Sequence, residues 1–159
     1  MGSFIIDKGG FSMHEITELL KKLVFDVQRE FYDERGKGAR YRLTRIGVPY
    51  FEEVMDKDLT SMEHIKQWLI NNGFCGDIAI NEDEFSVEIS VNNCCLLDIR
   101  NEWEKHKVPP LACPVANVFM YSIELKSGMA PELLPIQGIE HTCNITLAKM
   151  GTSDVLKEE

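Results

Sequence analysis

The sequence has no apolar run of the roughly 20 residues that a bilayer-spanning helix needs. No secretion signal is legible either: in MGSFIIDKGGFSM the apolar stretch is Phe4-Ile5-Ile6 alone, and no cleavage pattern follows. Basic residues are in short supply, 17 Lys and Arg against 26 Asp and Glu, for a formal net charge of −9. Such a chain is poorly suited to a nucleic-acid backbone or an anionic lipid surface, both of which select clustered positive charge. It also lacks a C-x-x-C pair, a glycine-rich phosphate loop, a dinucleotide fingerprint and a Ser-His-Asp arrangement. There is no internal repeat and no low-complexity tract.

What is present is a chain of 159 residues that is 44% hydrophobic, enough for one domain with a real core. Its five cysteines, Cys75, Cys94, Cys95, Cys113 and Cys143, are odd in number. Without a signal peptide they read as reduced thiols in a cytoplasmic protein, where the Asn144-Ile145-Thr146 glycosylation pattern is a chance match.

The pattern divides the chain into an N-terminal arm or expression remnant at 1–11, a single α+β domain at 12–150 and an acidic tail at 151–159. Ser12-x-x-Glu15 is a capping box. Behind it Ile16, Leu19, Leu20, Leu23, Val24, Val27 and Phe31 form one helical stripe, with Lys21, Lys22, Gln28, Arg29 and Glu30 on the other face. The helix should lay the stripe on the core and end near Gly36; part of it could instead pair with a second subunit. Residues 40–55 read as a second helical region, interrupted at Gly47 and Pro49, with a basic cluster of Arg40, Arg42 and Arg45. Thr60-Ser61-Met62-Glu63 reads as a second box, opening a helix with Ile65, Trp68 and Leu69 on one side. A hairpin follows, with Asp77 to Ile80 as one strand and the alternating Phe85, Val87, Ile89 and Val91 as the other. Asn92-Asn93 should cap a helix carrying Leu96, Leu97, Ile99 and Trp103, stopped by Pro109-Pro110.

Leu111 to Met150 holds the most chemistry. Cys113-Pro114 has the form of a helix start, since proline is tolerated at the first turn. The helix runs from Val115 to Lys126 and ends at Gly128. Two extended segments, Glu132 to Ile139 and Glu140 to Met150, should pair as a second hairpin containing Cys143. A thiol at a helix N-terminus tends toward the thiolate, which makes Cys113 the first chemical candidate. The fold class expected is α+β, with helices packed around a small antiparallel sheet built from two hairpins.

Residues 61 to 150 resemble the 4-vinyl reductase-like, or hydrocarbon-binding, small-molecule-binding domain. The likeness rests on Asn72-Gly73-Phe74, the strand at Asp77-Ile80, Val91-Asn92-Asn93-Cys94, the Cys113-Pro114 helix, the Gly138 turn and Cys143-Asn144-Ile145. It implies the fold shared with TRAPP vesicle-tethering subunits, frequent dimers, and a pocket for apolar or aromatic molecules, often in sensors. Phenol-sensing members bind zinc through three cysteines and a glutamate. By resemblance the metal set would be Cys113, Cys143 and Glu132, but Pro135 stands where the middle cysteine is expected, so His141 or the Cys94-Cys95 pair would have to replace it. A second resemblance is to the amino-thiazoline carboxylate hydrolase-like family, in which Cys113 would be a nucleophile with His106 or His141 as base. The Cys-Pro dipeptide also resembles a haem-sensing motif.

The function expected is a small-molecule binding or sensing module whose pocket is walled by Trp68, Phe74, Trp103, Phe119, Tyr121 and Ile123. Zinc and haem are the candidate cofactors, and a homodimer and a signalling protein the candidate partners. The alternatives are a cysteine-dependent hydrolase or reductase using Cys113, and a dimeric scaffold subunit.

Overall fold

The computed structural model describes residues 12–36, 43–55, 58–108 and 112–149. The anticipated arm at 1–11, the tail at 151–159 and Arg40, Tyr41 and Arg42 lie outside the described residues. Within them the α+β architecture is present: five helices and a five-stranded antiparallel sheet.

Helix α1 spans Met13–Arg35. Both arms of its capping box form: Glu15 N–H donates to Ser12 Oγ at 3.2 Å, and Ser12 N–H to Glu15 Oε2 at 2.8 Å. The rotation of α1 departs from the expected one. Ile16, Leu19, Leu20, Leu23, Val24 and Val27 are 40–67% exposed, whereas Phe25 and Gln28 are buried. The face turned inward is the one matched to α4, Leu97–His106. Lys21 Nζ lies 2.7 Å from Asp98 Oδ2, Phe25 packs with Ile99, Trp103 and Val108, and Gln28 Oε1 accepts the Ala112 N–H at 3.1 Å. Periodicity located the apolar stripe correctly, but the surrounding elements place a mixed face against the protein and leave the apolar one uncovered.

Helix α2 covers only Val48–Val54 of the second helical region, because a turn at 44–47 precedes it. That turn is fastened to α5, Pro114–Ser127: the buried Asn117 donates through Nδ2 to Leu43 O at 2.8 Å and to Ile46 O at 2.9 Å. Helix α3, Met62–Asn71, is capped by Ser61, which accepts the His64 N–H at 3.2 Å. The expected box is shifted by one residue: the third helical position is His64, which has no carboxylate to reach back. Asn92-Asn93 does not cap α4. Asn92 closes a strand, and the N-cap is Leu96, with no side-chain cap.

Strands β1, Asp77–Glu82, and β2, Ser86–Asn92, form the first hairpin, with Ile80 opposite Ile89. Val87, Ile89 and Val91 are buried; Phe85 lies before β2 at the turn and is 74% exposed. The second hairpin is more divided than anticipated. It comprises β3, Glu132–Leu133, β4, Gln137–Ile139, and β5, Thr142–Ala148. Strand β5 is central: β2 pairs with one edge, placing Val91 opposite Cys143 and Ile89 opposite Ile145, and β3 and β4 pair with the other. The core on this sheet includes Phe119, Val115, Val118, Ile65 and Leu69, all at or below 1% exposure.

Gly47 sits in the left-handed region at φ +85, and a Cβ there would lie 2.6 Å from Pro114 Cβ. Gly47→Ala therefore adds backbone strain to a clash against the first residue of α5. It is expected to lower the unfolding free energy by about 2–4 kcal/mol, read from the urea midpoint at unchanged slope.

Candidate functional site

A cavity of about 190 Å³ lies between α1, α4, the start of α5 and the sheet. Helix α1 contributes Val24 and Gln28; α4 contributes Ile99, Arg100 and Trp103. The Cys113-Pro114 helix start adds Cys113, Pro114 and Val115, with Ala112 before it, and Val91, Cys143 and Ile145 come from the sheet. The register explains the sheet's share. Cys143 and Ile145 are two residues apart on β5 and so point the same way, and Val91 lies opposite Cys143. The lining is mainly apolar, as ligand pockets are, with a few polar groups.

The main polar group is Arg100, only 7% exposed. Its Nη1 donates to Thr142 O at 3.0 Å and reaches Cys143 Sγ at 3.6 Å. Its Nη2 donates to Glu140 O and to Asn101 Oδ1, the latter at 3.2 Å. Glu104 supplies a countercharge 3.5 Å from Nε. The guanidinium thus grips the β4–β5 turn, where Glu140 takes a positive φ of 51. It can do so because position 138 is glycine: a Cβ on Gly138 would lie 2.8 Å from Nη1. Sequence reasoning missed Arg100. The signal was its place beside Leu96, Ile99 and Trp103 on the apolar face of α4.

Three of the five cysteines line this cavity. Cys94 and Cys95 are adjacent, Cys94 is close enough to influence Cys75, Cys113 and Cys143, and Cys94, Cys113 and Cys143 line the cavity. Cys113 does cap α5, with the Ala116 N–H 3.5 Å from its Sγ. The expected thiolate does not follow. Burial outweighs the helix terminus and pushes the Cys113 thiol up to about 12. Burial likewise raises Cys143, and pushes Cys75 up to about 11. Only exposed Cys95 shifts downward, through hydrogen bonding with the Cys94 thiol, which keeps its own proton.

The remaining candidates are dispersed. Of the six expected pocket walls, Trp103 lines this cavity. Trp68 and Phe74 stack together at 5.4 Å beside Tyr50 and Phe51. Phe119 and Ile123 are core residues, and Tyr121 donates to Glu52 at 2.7 Å beneath the Arg45 guanidinium. Glu132 pairs with Ala148, five residues along β5 from Cys143, so it is roughly 17 Å away by strand rise. His141 is exposed in the β4–β5 turn, and His106 is exposed on α4, 3.8 Å from Glu102. Neither histidine lines the cavity to serve Cys113 as a base.

The family described as "Putative rubredoxin C-terminal domain" matches residues 23–150. The chain belongs to this family. No curated protein and no solved structure matches it. The family's description points to cysteine or metal chemistry in general terms. A thiolate-held metal does not fit the arrangement found. Among the described residues no three of His, Cys, Asp and Glu are placed to hold a metal ion, and the quartet Cys113, Cys143, Glu132 and His141 is not one coordination sphere.

These environments predict the order of thiol reactivity. Iodoacetamide at pH 7.5 should alkylate Cys95 first, and Cys113 only after unfolding, as read by peptide mass spectrometry. Cys95→Ser should remove the fast phase. Rapid alkylation of native Cys113 would contradict the account.

Proposed function

We propose that this domain is a small-molecule binding or sensing module rather than an enzyme, and that its ligand occupies the cavity behind α1. The observation that carries the proposal is the cavity itself: about 190 Å³, mainly apolar, with a single buried guanidinium and three thiols on its walls. Its volume suits one six-membered ring with a small substituent. The likeness to the 4-vinyl reductase-like domain favours the same ligand class. The hydrolase or reductase reading is disfavoured by the protonated Cys113 and by the distance of both histidines from the cavity wall.

The outer face of α1 favours a second element, association of two copies. Met13, Ile16, Leu20, Leu23 and Val27 are spaced three and four residues apart in alternation, the repeat of a coiled-coil seam, and are 40–77% exposed. The seam and the cavity wall lie on one helix, so filling the cavity would be felt at the subunit contact or by a signalling partner seated there.

Toluene at 100 times its dissociation constant should raise the unfolding free energy by about 2.7 kcal/mol. Ala112→Leu, which fills the cavity from its wall, should abolish that gain while leaving the protein folded. A gain that survives in Ala112→Leu would place the ligand elsewhere. For the seam, light scattering on the eluting protein should give twice the chain mass at micromolar concentration, and Leu20→Glu with Leu23→Glu should halve it. A wild-type monomer under those conditions would remove the dimer.

A further inference from the structure

Between β2 and α4 the chain makes a tight turn at 94–97, and that turn carries two thiols in sequence. Cys94 O accepts the Leu97 N–H at 3.0 Å, and Cys94 Sγ accepts the Leu96 N–H at 3.4 Å. Cys95 N–H donates to Phe74 O at 2.8 Å, which holds the turn against the loop between α3 and β1. The two side chains differ in surroundings, yet they meet. Cys94 is buried, Cys95 is exposed, and the Cys94 thiol hydrogen-bonds the Cys95 sulfur. A solvent-facing sulfur backed by a second sulfur in contact is the arrangement of a reactive thiol poised beside a resolving one. Cys75 is buried, and Cys113 and Cys143 are half-buried, so Cys95 is the thiol that a dissolved oxidant meets first.

We propose that Cys94 and Cys95 form a two-thiol oxidation site whose substrate is a hydroperoxide and whose product is a reversible Cys94–Cys95 disulfide. In the first step the Cys95 thiolate attacks the terminal oxygen of the hydroperoxide. The O–O bond breaks, the alcohol (water, from hydrogen peroxide) departs with a solvent proton, and Cys95 becomes a sulfenic acid. That step consumes the thiolate whose hydrogen bond keeps the proton on Cys94. In the second step Cys94 Sγ attacks the Cys95 sulfur. The S–S bond forms, the S–O bond breaks, and hydroxide leaves with the Cys94 proton as water. Two electrons thus pass from the thiol pair to one peroxide. Adjacent Cα atoms are about 3.8 Å apart, below the roughly 4.4–6.8 Å usual for a disulfide, and closure also strains the Cys95 hydrogen bond to Phe74. Strained disulfides are the easily reduced ones, so a thiol such as glutathione restores the pair. The site does not depend on what fills the cavity.

The test treats the full reduced chain with one equivalent of hydrogen peroxide at pH 7.5 and maps the product by mass spectrometry. The product should have lost two hydrogen atoms. Cleavage after Glu88 and Glu102 releases the segment 89–102, which holds Cys94 and Cys95 without Cys75, and the whole loss should fall there. Glutathione should return the original mass. Cys94→Ser should stop at the sulfenic acid, trapped on Cys95 as its dimedone adduct. Cys95→Ser, at an exposed position that leaves the fold intact, should lose the reaction, and Cys75→Ser should react as the wild type does. A disulfide joining 89–102 to the segment bearing Cys75 would overturn the pair as the site. Oxidation that persists in Cys95→Ser, or a wild-type chain left unoxidised, would overturn the proposal outright. The wild-type map decides these points even if Cys94→Ser fails to fold.

Discussion

The burial of the Arg100 guanidinium beneath the β4–β5 turn is the constraint on which the arrangement around the cavity depends. One side chain from α4 holds the carbonyls of Glu140 and Thr142, touches Cys143 and pairs with Glu104. It thereby fixes the distance between α4 and the end of the sheet where the cavity opens. A buried charge of this kind is expensive to strand, because loss of its partners leaves an uncompensated ion. The strand beneath it accordingly carries Gly138, where any side chain would occupy the space of the guanidinium. The gap between α4 and β5 is then closed by the start of α5, bearing Cys113, and by Val24 and Gln28 of α1.

Helix α1 is attached differently from the rest. Helix α5 is wrapped by core on nearly every face, but α1 meets the body chiefly through the Lys21–Asp98 ion pair, the Phe25 cluster and the Gln28–Ala112 hydrogen bond. An exposed ion pair contributes little, about 0–1 kcal/mol, so the hold rests mainly on Phe25 and Gln28. The helix held by these few contacts is the one that walls the cavity and carries the uncovered apolar seam. A module that reports occupancy needs an element of that kind, one whose position costs little to change.

Much of the element order was legible because periodicity and helix-end chemistry are local. The Ser12 box, the Gly36 and Gly128 helix ends, the Cys113-Pro114 start and the alternation of Val87, Ile89 and Val91 all stand where the sequence puts them. What was not legible depends on partners remote in sequence. The stripe on α1 announces an apolar face but not what lies opposite it, and Asp98 and Ala112 decide the rotation from about 80 residues away. Cys94, Cys113 and Cys143 reach the same cavity only in the tertiary fold. The pKa of Cys113 was misjudged for the same reason: the helix terminus is visible in the sequence, but the burial that outweighs it is not. Arg100 was hidden because a charged residue in a helical run reads by default as solvated.

The most direct measurement is a toluene titration followed by methyl carbon–proton NMR of the isoleucine, leucine and valine groups. The account predicts the largest shifts at Ile99, Val115 and Ile145, which wall the cavity, with a smaller response at Leu20 and Leu23 on the outer face of α1. Shifts confined to Leu20, Leu23 and Val27, with Ile99, Val115 and Ile145 unmoved, would place binding on the surface and contradict the cavity as the functional site.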